Sequence, residues 1–313
     1  MKIVIFGGGG FIGSAVADRL LLEGHELRIF ERPRVGPYRE FLETEHIEWL
    51  TGDLLSMHDV SDAIEGTDIV VHLVSSTLPK SSNDDPIYDV QSNLVASLQM
   101  LNAMVARNIK KIIFISSGGT VYGTPMYLPI NEHHPTEPQV SYGITKLAIE
   151  KYLLLFERMH GIKTTILRVA NPFGERQRIE TAQGAVSTFL YRALSGQPIE
   201  IWGNGTTTRD YIYISDVADA FARAVIYDGP KSIFNISSGV GTSLNDLITL
   251  LEEVLAHPIE RHYLSGRPFD VPVSILSNDL ARLEMGWVPR VRLRVGIENV
   301  VKWMTKEPGK KQR

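Results

Sequence analysis

The chain has 313 residues, 43% of them hydrophobic, which is enough to bury one large core or to build two domains around a cleft. Its 32 basic and 36 acidic side chains give a net charge of −4, which excludes the basic surface of a nucleic-acid-binding protein. The sequence has no cysteine, no signal peptide and no apolar run approaching about 18 residues, so we predict a cytoplasmic protein with no metal site and no membrane partner.

Short runs rich in β-branched residues alternate with helical stretches along the first half of the chain. Strands are predicted at residues 2–6, 26–30, 47–50, 68–74, 110–116 and 163–169. This alternation predicts an α/β protein with a Rossmann-type, doubly wound parallel sheet that carries helices on both faces. The runs are almost continuously hydrophobic, which suits strands that are buried on both sides.

After residue 172 the elements become shorter and less regular. Helices are predicted near residues 182–195, 215–227, 243–256 and 295–305. No linker separates the two halves, so we predict a first domain over residues 1–172 and a smaller α/β lobe over 173–313 that share a cleft and exchange some chain.

The first strand ends in a glycine-rich turn, GGGGFIG, which opens a helix that runs to about Glu23. Gly7, Gly10 and Gly13 allow a tight turn, a close approach to a pyrophosphate and close packing of helix on strand. The helix N-terminus adds positive potential. The turn therefore predicts a dinucleotide site, and residues 1–172 become the cofactor domain.

The second strand ends at Glu31, 18 residues beyond Gly13 and close to the spacing of an acidic ligand for the adenosine ribose. Glu31 favours NAD over NADP. Arg32 and Arg34 leave the choice open, since a basic group here either binds a 2′-phosphate or is a solvated charge. Asp53 is either an adenine contact or a turn residue.

Tyr142 and Lys146 lie four residues apart at the start of a predicted helix, so they share one face. An ammonium beside a phenol stabilises the phenolate and lowers the pKa of the tyrosine, which would make it a general base. In isolation such a pair is usually an ordinary surface pair. Its place after a dinucleotide turn favours an active site.

Several motifs together resemble the extended short-chain dehydrogenase/reductase family, and within it the nucleotide-sugar 4-epimerases of the UDP-glucose 4-epimerase type. The resemblance covers essentially the whole chain. Its motifs are GGGGFIG, Gly52-Asp53, VHLVS at 71–75, Asn93, SSGGTVYG at 116–123, YGITK at 142–146, LRVANPFG at 167–174 and RDYIYISDVADA at 209–220.

The resemblance implies that Tyr142 is the catalytic base and that Lys146 is its electrostatic partner. The implied NAD contacts are Gly7, Gly10, Phe11, Ile12, Gly13, Glu31, Arg32, Asp53, Leu54, Leu73, Ser75, Asn93, Ser116, Tyr142, Lys146 and Pro172. The implied substrate contacts are Asn171, Val186, Trp202 for the nucleobase, Arg209 and Arg267 for the diphosphate, Asp270 for the nucleotide ribose, and Ser274.

The implied reaction inverts C4 of a UDP- or dTDP-hexose through a transient 4-keto sugar, with NAD as cofactor. One departure from the family pattern concerns Gly118, where relatives usually carry a Ser or Thr that binds the reacting hydroxyl. Residues 118 and 120 would point to the same side of an extended strand. We therefore expect Thr120 either to supply this hydroxyl, with the glycines leaving space for the sugar, or merely to pack.

The same stretch lacks the Asp-Glu pair of the family's dehydratases. A small Ser274, where some relatives carry Tyr, predicts tolerance of N-acetylated sugars. The alternatives are an NAD(P)H-dependent nucleotide-sugar 4-ketoreductase and a non-catalytic, redox-sensing dinucleotide-binding protein.

Two helices, predicted near residues 87–107 and 142–159, are apolar on more than one face. Such helices either cover the sheet or form the homodimer interface that the family resemblance implies. Examples of their apolar residues are Leu94, Leu98, Leu101, Met104, Leu153, Leu154, Leu155 and Phe156.

Overall fold

The structure is a computed structural model that describes residues 1–79, 81–178, 184–266 and 271–306. Its centre is a seven-stranded sheet in the order β10-β6-β5-β4-β1-β2-β3, and every neighbouring pair of strands is parallel. The strands are β1 Lys2–Phe6, β2 Glu26–Glu31, β3 Ile47–Thr51, β4 Ile69–His72, β5 Lys111–Ser117, β6 Lys163–Val169 and β10 Ile233–Ile236. The predicted doubly wound Rossmann-type fold is confirmed.

Helices cover both faces of this sheet. They are α1 Phe11–Leu22, α2 Met57–Ile64, α3 Pro86–Asp89, α4 Ala96–Ala106, α5 Ser141–His160 and α7 Ile214–Ile226, and a π-helical segment, Val90–Val95, joins α3 to α4. Side chains alternate across β1: Ile3 and Ile5 enter the core with α1 and α7, whereas Val4 and Phe6 enter the core with α4 and α5. This two-sided burial explains the continuous hydrophobic runs.

The remaining strands form two smaller sheets. Strand β9 Thr208–Tyr213 pairs with β7 Asn171–Phe173, β11 Gly241–Ser243 and β13 Val273–Ser274, and β8 Ile199–Trp202 pairs with β12 Arg261–Leu264. The remaining helices are α6 Ala185–Leu194, α8 Leu244–Leu255, α9 Asp279–Met285 and α10 Leu293–Lys306. The four helices predicted after residue 172 are present within two or three residues of their predicted ends.

Two elements after residue 172, β10 and α7, pack with the part of the chain before it. Strand β10 pairs with β6 at the edge of the central sheet, and α7 packs on α1. An ion pair joins these two helices, with 3.0 Å between Arg19 Nη2 and Asp219 Oδ1. Over the part of the chain that the structure describes, no helix has the length and apolar character that a membrane crossing requires.

Candidate active site

The glycine-rich turn has the geometry that a bound pyrophosphate needs. Gly7 has φ +83°, and its N–H donates to the Phe30 carbonyl at 3.0 Å. A Cβ on Gly13 would overlap the Gly7 carbonyl oxygen, so only glycine lets α1 start this close to β1. Gly10 precedes α1 without a side-chain cap, which leaves N–H groups at the helix start for an anion. The turn therefore fits a dinucleotide.

The Glu31 side chain is hydrogen-bonded to the glycine-rich turn. Its Oε1 accepts a hydrogen bond from the Gly9 N–H at 3.0 Å. Burial raises the pKa of its carboxyl group, and hydrogen bonds from the backbone N–H groups of Gly9 and Arg32 oppose the rise. The carboxylate is thus partly committed to the protein, and its role as a ribose ligand stays a prediction.

The other predicted adenosine contacts do not line the cleft at the carboxyl ends of β1, β4, β5 and β6. Arg32 and Asp53 are exposed, and Leu54 is buried. The Asp53 side chain accepts from the Leu55 N–H at 2.9 Å, which is the bond of a turn residue. Their contact with a cofactor stays a prediction.

A cleft of about 650 Å³ opens at the carboxyl ends of β1, β4, β5 and β6. In doubly wound folds this edge of the sheet is where ligands bind. The predicted residues that line it are Gly7, Gly10, Phe11, Ile12, Gly13, Leu73, Ser75, Ser116, Thr120, Tyr142, Lys146, Asn171, Pro172 and Arg209. The turn, the Tyr-Lys pair and one predicted diphosphate ligand therefore share one cavity.

The start of α5, which carries Tyr142, is capped by a distant loop. The N–H of Ser141 donates to Asn83 Oδ1 at 2.9 Å, and the N–H of Tyr142 donates to Ser82 Oγ at 3.0 Å. Val140, which precedes the helix, gives no side-chain cap. Since helix starts leave N–H groups unpaired, these two side chains cap the first turn of α5, which carries Tyr142.

Lys146 is buried, and its ammonium group points to the backbone. Its Nζ donates to the Ile115 carbonyl at 3.1 Å and lies 5.7 Å from the centre of the Tyr142 ring. Burial lowers the pKa of Lys146 to about 7, while the charges of Asp89 and Glu150 oppose this shift. The lysine is therefore poised to lose its charge near neutral pH.

The predicted lowering of the Tyr142 pKa is wrong for the protein without ligands. Burial raises the pKa of Tyr142 to about 12, and a hydrogen bond with Ser75 only partly opposes the rise. Desolvation outweighs a lysine that points elsewhere. With this raised pKa, Tyr142 carries its proton at neutral pH.

Ser116 and Asn93 are both hydrogen-bonded within the protein, but only Ser116 lines the cleft. Ser116 Oγ donates to Glu150 Oε1 at 2.5 Å, and Glu150 is held by Arg168 at 2.6 Å. Asn93 does not line the cleft: its Oδ1 accepts from the Ser76 N–H at 2.8 Å. Asn93 thus holds the wall that follows β4, and its predicted cofactor contact stays a prediction.

The chain turns directly after β5, which changes the expectation for residues 118–120. Because strand geometry ends at Ser117, the premise that residues 118 and 120 point to the same side of an extended strand is wrong. A Cβ on Gly118 would overlap Leu276 Cδ1, so Leu276 fills the space that a side chain at position 118 would need. Of residues 118–120, only Gly119 and Thr120 line the cleft, so Gly118 does not border the space predicted for the sugar.

Thr120 has an unmade hydrogen bond. Its Oγ1 is closed to solvent and has no hydrogen-bond partner among the described residues. Rotation about χ1 is the simplest way for this hydroxyl to reach a ligand in the cleft that Thr120 lines. Its role as the substitute hydroxyl stays a prediction.

A second cleft of about 480 Å³ adjoins the first and shares Asn171, Pro172, Gly184 and Arg209 with it. The predicted residues Val186 and Trp202 line it. Ser274 is buried, pairs with Arg209 through the backbone and lines neither cleft. The predicted ligands Arg267 and Asp270 fall outside the described residues.

Sequence reasoning missed two polar side chains of the second cleft. The hydroxyl groups of Thr188 and Tyr211 are buried without a partner in the described part of the chain. Tyr211 lies within the quoted motif RDYIY, which was a signal, whereas nothing in the sequence marks Thr188. Thr77 and Gln139, which line the first cleft, were also missed, because nothing in the sequence marks them.

Comparison with known proteins agrees with this geometry. The chain is 32% identical to a UDP-glucose 4-epimerase of Mycolicibacterium smegmatis, covering 97% of this chain and 98% of the relative. It is 31% identical to a dTDP-4-dehydro-6-deoxyglucose reductase of Escherichia coli, with 96% of each chain covered. The crystal structure of UDP-glucose 4-epimerase with UDP-glucose from Thermotoga maritima superposes with a TM-score of 0.93 at 32% identity, covering 98% of this chain and 100% of that one.

Residues 3–237 match the sequence profile of the NAD dependent epimerase/dehydratase family. This stretch holds the glycine turn, the Tyr-Lys pair, Asn171 and Arg209 of the cleft described above. The chain therefore belongs to the NAD dependent epimerase/dehydratase family, the extended short-chain dehydrogenase/reductases that its motifs resemble.

Proposed function

We propose that the protein is a nucleotide-sugar 4-epimerase that inverts C4 of a UDP-hexose. The observation that carries the proposal is the single cleft that joins the glycine turn, Tyr142 with Lys146, and Arg209. Whole-length relatives of this family named UDP-glucose 4-epimerase support it. The predictions of an enzyme and of NAD as its cofactor are confirmed by this family membership.

NAD would be held by the glycine turn and by Lys146, and when bound it supplies a positive charge and a reversible hydride acceptor for the sugar C4. Tyr142 removes the proton of the 4-hydroxyl and later returns it to the 4-keto oxygen. Burial raises the pKa of Tyr142 to about 12, and such a weakly acidic phenol suits the return of the proton. Loss of the proton requires added positive charge beside the ring.

The remaining residues of the cleft hold the substrate. Arg209 lines both clefts, which supports a role for it in binding a diphosphate between the sugar and the nucleotide. Trp202 and Tyr211 give the second cleft aromatic walls for a base. Binding at the nucleotide leaves the sugar free to present either face to the cofactor, as a 4-epimerisation requires.

The test is an assay with UDP-glucose and no added cofactor. We expect UDP-galactose to form, denatured protein to release NAD, and no solvent deuterium to enter C4, because the same hydride returns. Assays with UDP-N-acetylglucosamine and dTDP-glucose test the open choice of sugar and nucleotide, including the predicted tolerance at Ser274.

A nucleotide-sugar 4-ketoreductase is the second candidate, favoured by the identity to a dTDP-4-dehydro-6-deoxyglucose reductase. Consumption of stoichiometric NAD(P)H with a 4-keto sugar, and no interconversion of hexoses, would establish it instead. This outcome would contradict the epimerase.

The predicted homodimer is part of the proposal. Leu101, Met104 and Leu153 are buried against the sheet, so these examples of the apolar faces cover it. Other apolar side chains of α5 are exposed to solvent: Ile144 is 57% exposed and Met159 is 64% exposed. A dimer in sedimentation analysis, lost on replacing Ile144 with Glu, would support this interface. The cytoplasmic location stays a prediction.

A further inference from the structure

Behind the Tyr-Lys pair lies a carboxylate that the proposed chemistry does not use. Asp89, at the end of α3, is fully buried. It accepts four hydrogen bonds, which are given by Thr77 Oγ1, Asn93 Nδ2 at 3.0 Å, Ser141 Oγ at 2.7 Å and Thr145 Oγ1 at 2.7 Å. All four donors are neutral. A buried charge whose partners among the described residues are all neutral is costly and calls for an explanation.

These donors come from the parts that hold the catalytic pair. Ser141 and Thr145 flank Tyr142 on the first turns of α5, and Thr77 belongs to the wall of the cleft. Asp89 therefore ties the start of α5 to that wall. The caps from Ser82 and Asn83 act on the same turn of the helix.

Two carboxylates raise the pKa of Lys146, and they differ in whether a described cation neutralises them. Glu150, on α5, is neutralised by the contact with Arg168 of β6. His72, on β4, is uncharged because burial lowers its pKa to about 3. Tyr142 is neutral at pH 7, so among the described residues Asp89 is the negative charge acting on Lys146 that no cation neutralises.

We propose that Asp89 is a positioning residue that fixes the start of α5 and keeps Lys146 protonated at the pH of catalysis. The proposal rests on the function proposed above only for the role of Lys146 in turnover. The charge of Asp89 and its effect on Lys146 are properties of the protein by itself.

Removal of this charge has a predictable sign. A negative charge stabilises the ammonium and destabilises the phenolate, so it raises the pKa of both Lys146 and Tyr142. A neutral side chain at position 89 lowers both pKa values. The titrations of both groups then shift toward acid, and the pH–rate profile moves with them.

The experiment compares Asp89→Asn with Ser141→Ala, which removes a hydrogen bond to Asp89 but keeps its charge. Lysines labelled with ¹³C at Cε are titrated by NMR in the holoenzyme, and the Lys146 signal is assigned by its loss in Lys146→Met. We expect Asp89→Asn to lower the Lys146 pKa by about one unit or more, the effect of a nearby opposite charge. The pH–rate profile should shift in the same direction, while Ser141→Ala leaves the Lys146 pKa in place.

An unchanged Lys146 titration in Asp89→Asn, or an equal shift in Ser141→Ala, would overturn the proposal. Asp89→Ser leaves room for a water molecule and repeats the neutralisation if the Asn variant does not fold. The NMR titration needs no turnover. A parent protein without epimerase activity but with the expected Lys146 shift would therefore contradict the proposed function and uphold the role of Asp89.

Discussion

At the scale of single residues, Tyr142 is the side chain on which we expect turnover to depend most. Replacement by Phe keeps the ring and removes the phenol that we propose exchanges a proton with the sugar 4-hydroxyl. We expect turnover to fall at least about a hundredfold, the low end of general acid–base contributions. Epimerisation rates and the NAD content of the purified variant measure this.

The variant should keep its NAD and its melting temperature, because the Tyr142 ring remains in place beside Lys146. Turnover within twofold of the parent would remove Tyr142 from the proposed chemistry.

Thr120 provides a second test at this scale. If its unpaired Oγ1 binds the sugar, Thr120→Val should cost about 1–3 kcal/mol of transition-state stabilisation, or about tenfold to a hundredfold in rate. The shape and NAD content should persist. Steady-state kinetics with UDP-glucose measure the loss.

Thr165 is the matched control for this variant. It lies in β6 and also has a buried hydroxyl without a partner among the described residues, but it does not line the cleft. Thr165→Val should leave the rate unchanged. Equal rates for Thr120→Val and the parent would reduce Thr120 to a packing role.

At the scale of elements, the turn after β5 is shaped by a segment from the far end of the chain. Because Leu276 occupies the space beside Gly118, Gly118→Ser should destabilise the fold by about 1–3 kcal/mol, as overpacking does. Urea unfolding measures this cost. We therefore expect a serine at position 118 to be tolerated less well than glycine.

The double variant Gly118→Ser with Leu276→Ala tests the reason. Leu276→Ala alone creates a cavity and should cost about 2–5 kcal/mol. In its background the serine should cost less than half of what it costs in the parent. Additive losses would show that Leu276 is not the obstacle.

At the scale of the whole molecule, segments from both sides of the predicted boundary at residue 172 pack against each other. A fragment of residues 1–172 lacks β10 and α7, so it leaves the β6 edge unpaired and uncovers α1. We expect it to melt without cooperativity and to bind NAD poorly. Circular dichroism melting and equilibrium dialysis are the measurements.

A longer fragment, residues 1–237, retains both elements and serves as the control. We expect it to regain a cooperative transition. A sharp melt of the 1–172 fragment with full NAD affinity would contradict the role assigned to β10 and α7.

The sequence by itself determined the features that depend on local spacing. The hydrophobic runs predicted six strands of the central sheet, because a strand buried on both faces is continuously apolar. The glycine spacing predicted the turn before α1, and the four-residue interval predicted that Tyr142 and Lys146 share a helix face. Each pattern is complete within one strand or helix, so no knowledge of distant segments is needed.

Only the tertiary structure decided what surrounds these residues. The caps of α5 come from Ser82 and Asn83, about 60 positions earlier, and the neighbour of Gly118 is Leu276. Burial of Tyr142 reverses the direction of its predicted pKa shift. Desolvation and steric exclusion depend on every segment that packs around a group, and a local pattern of residues contains no information about segments that reach it from elsewhere in the chain.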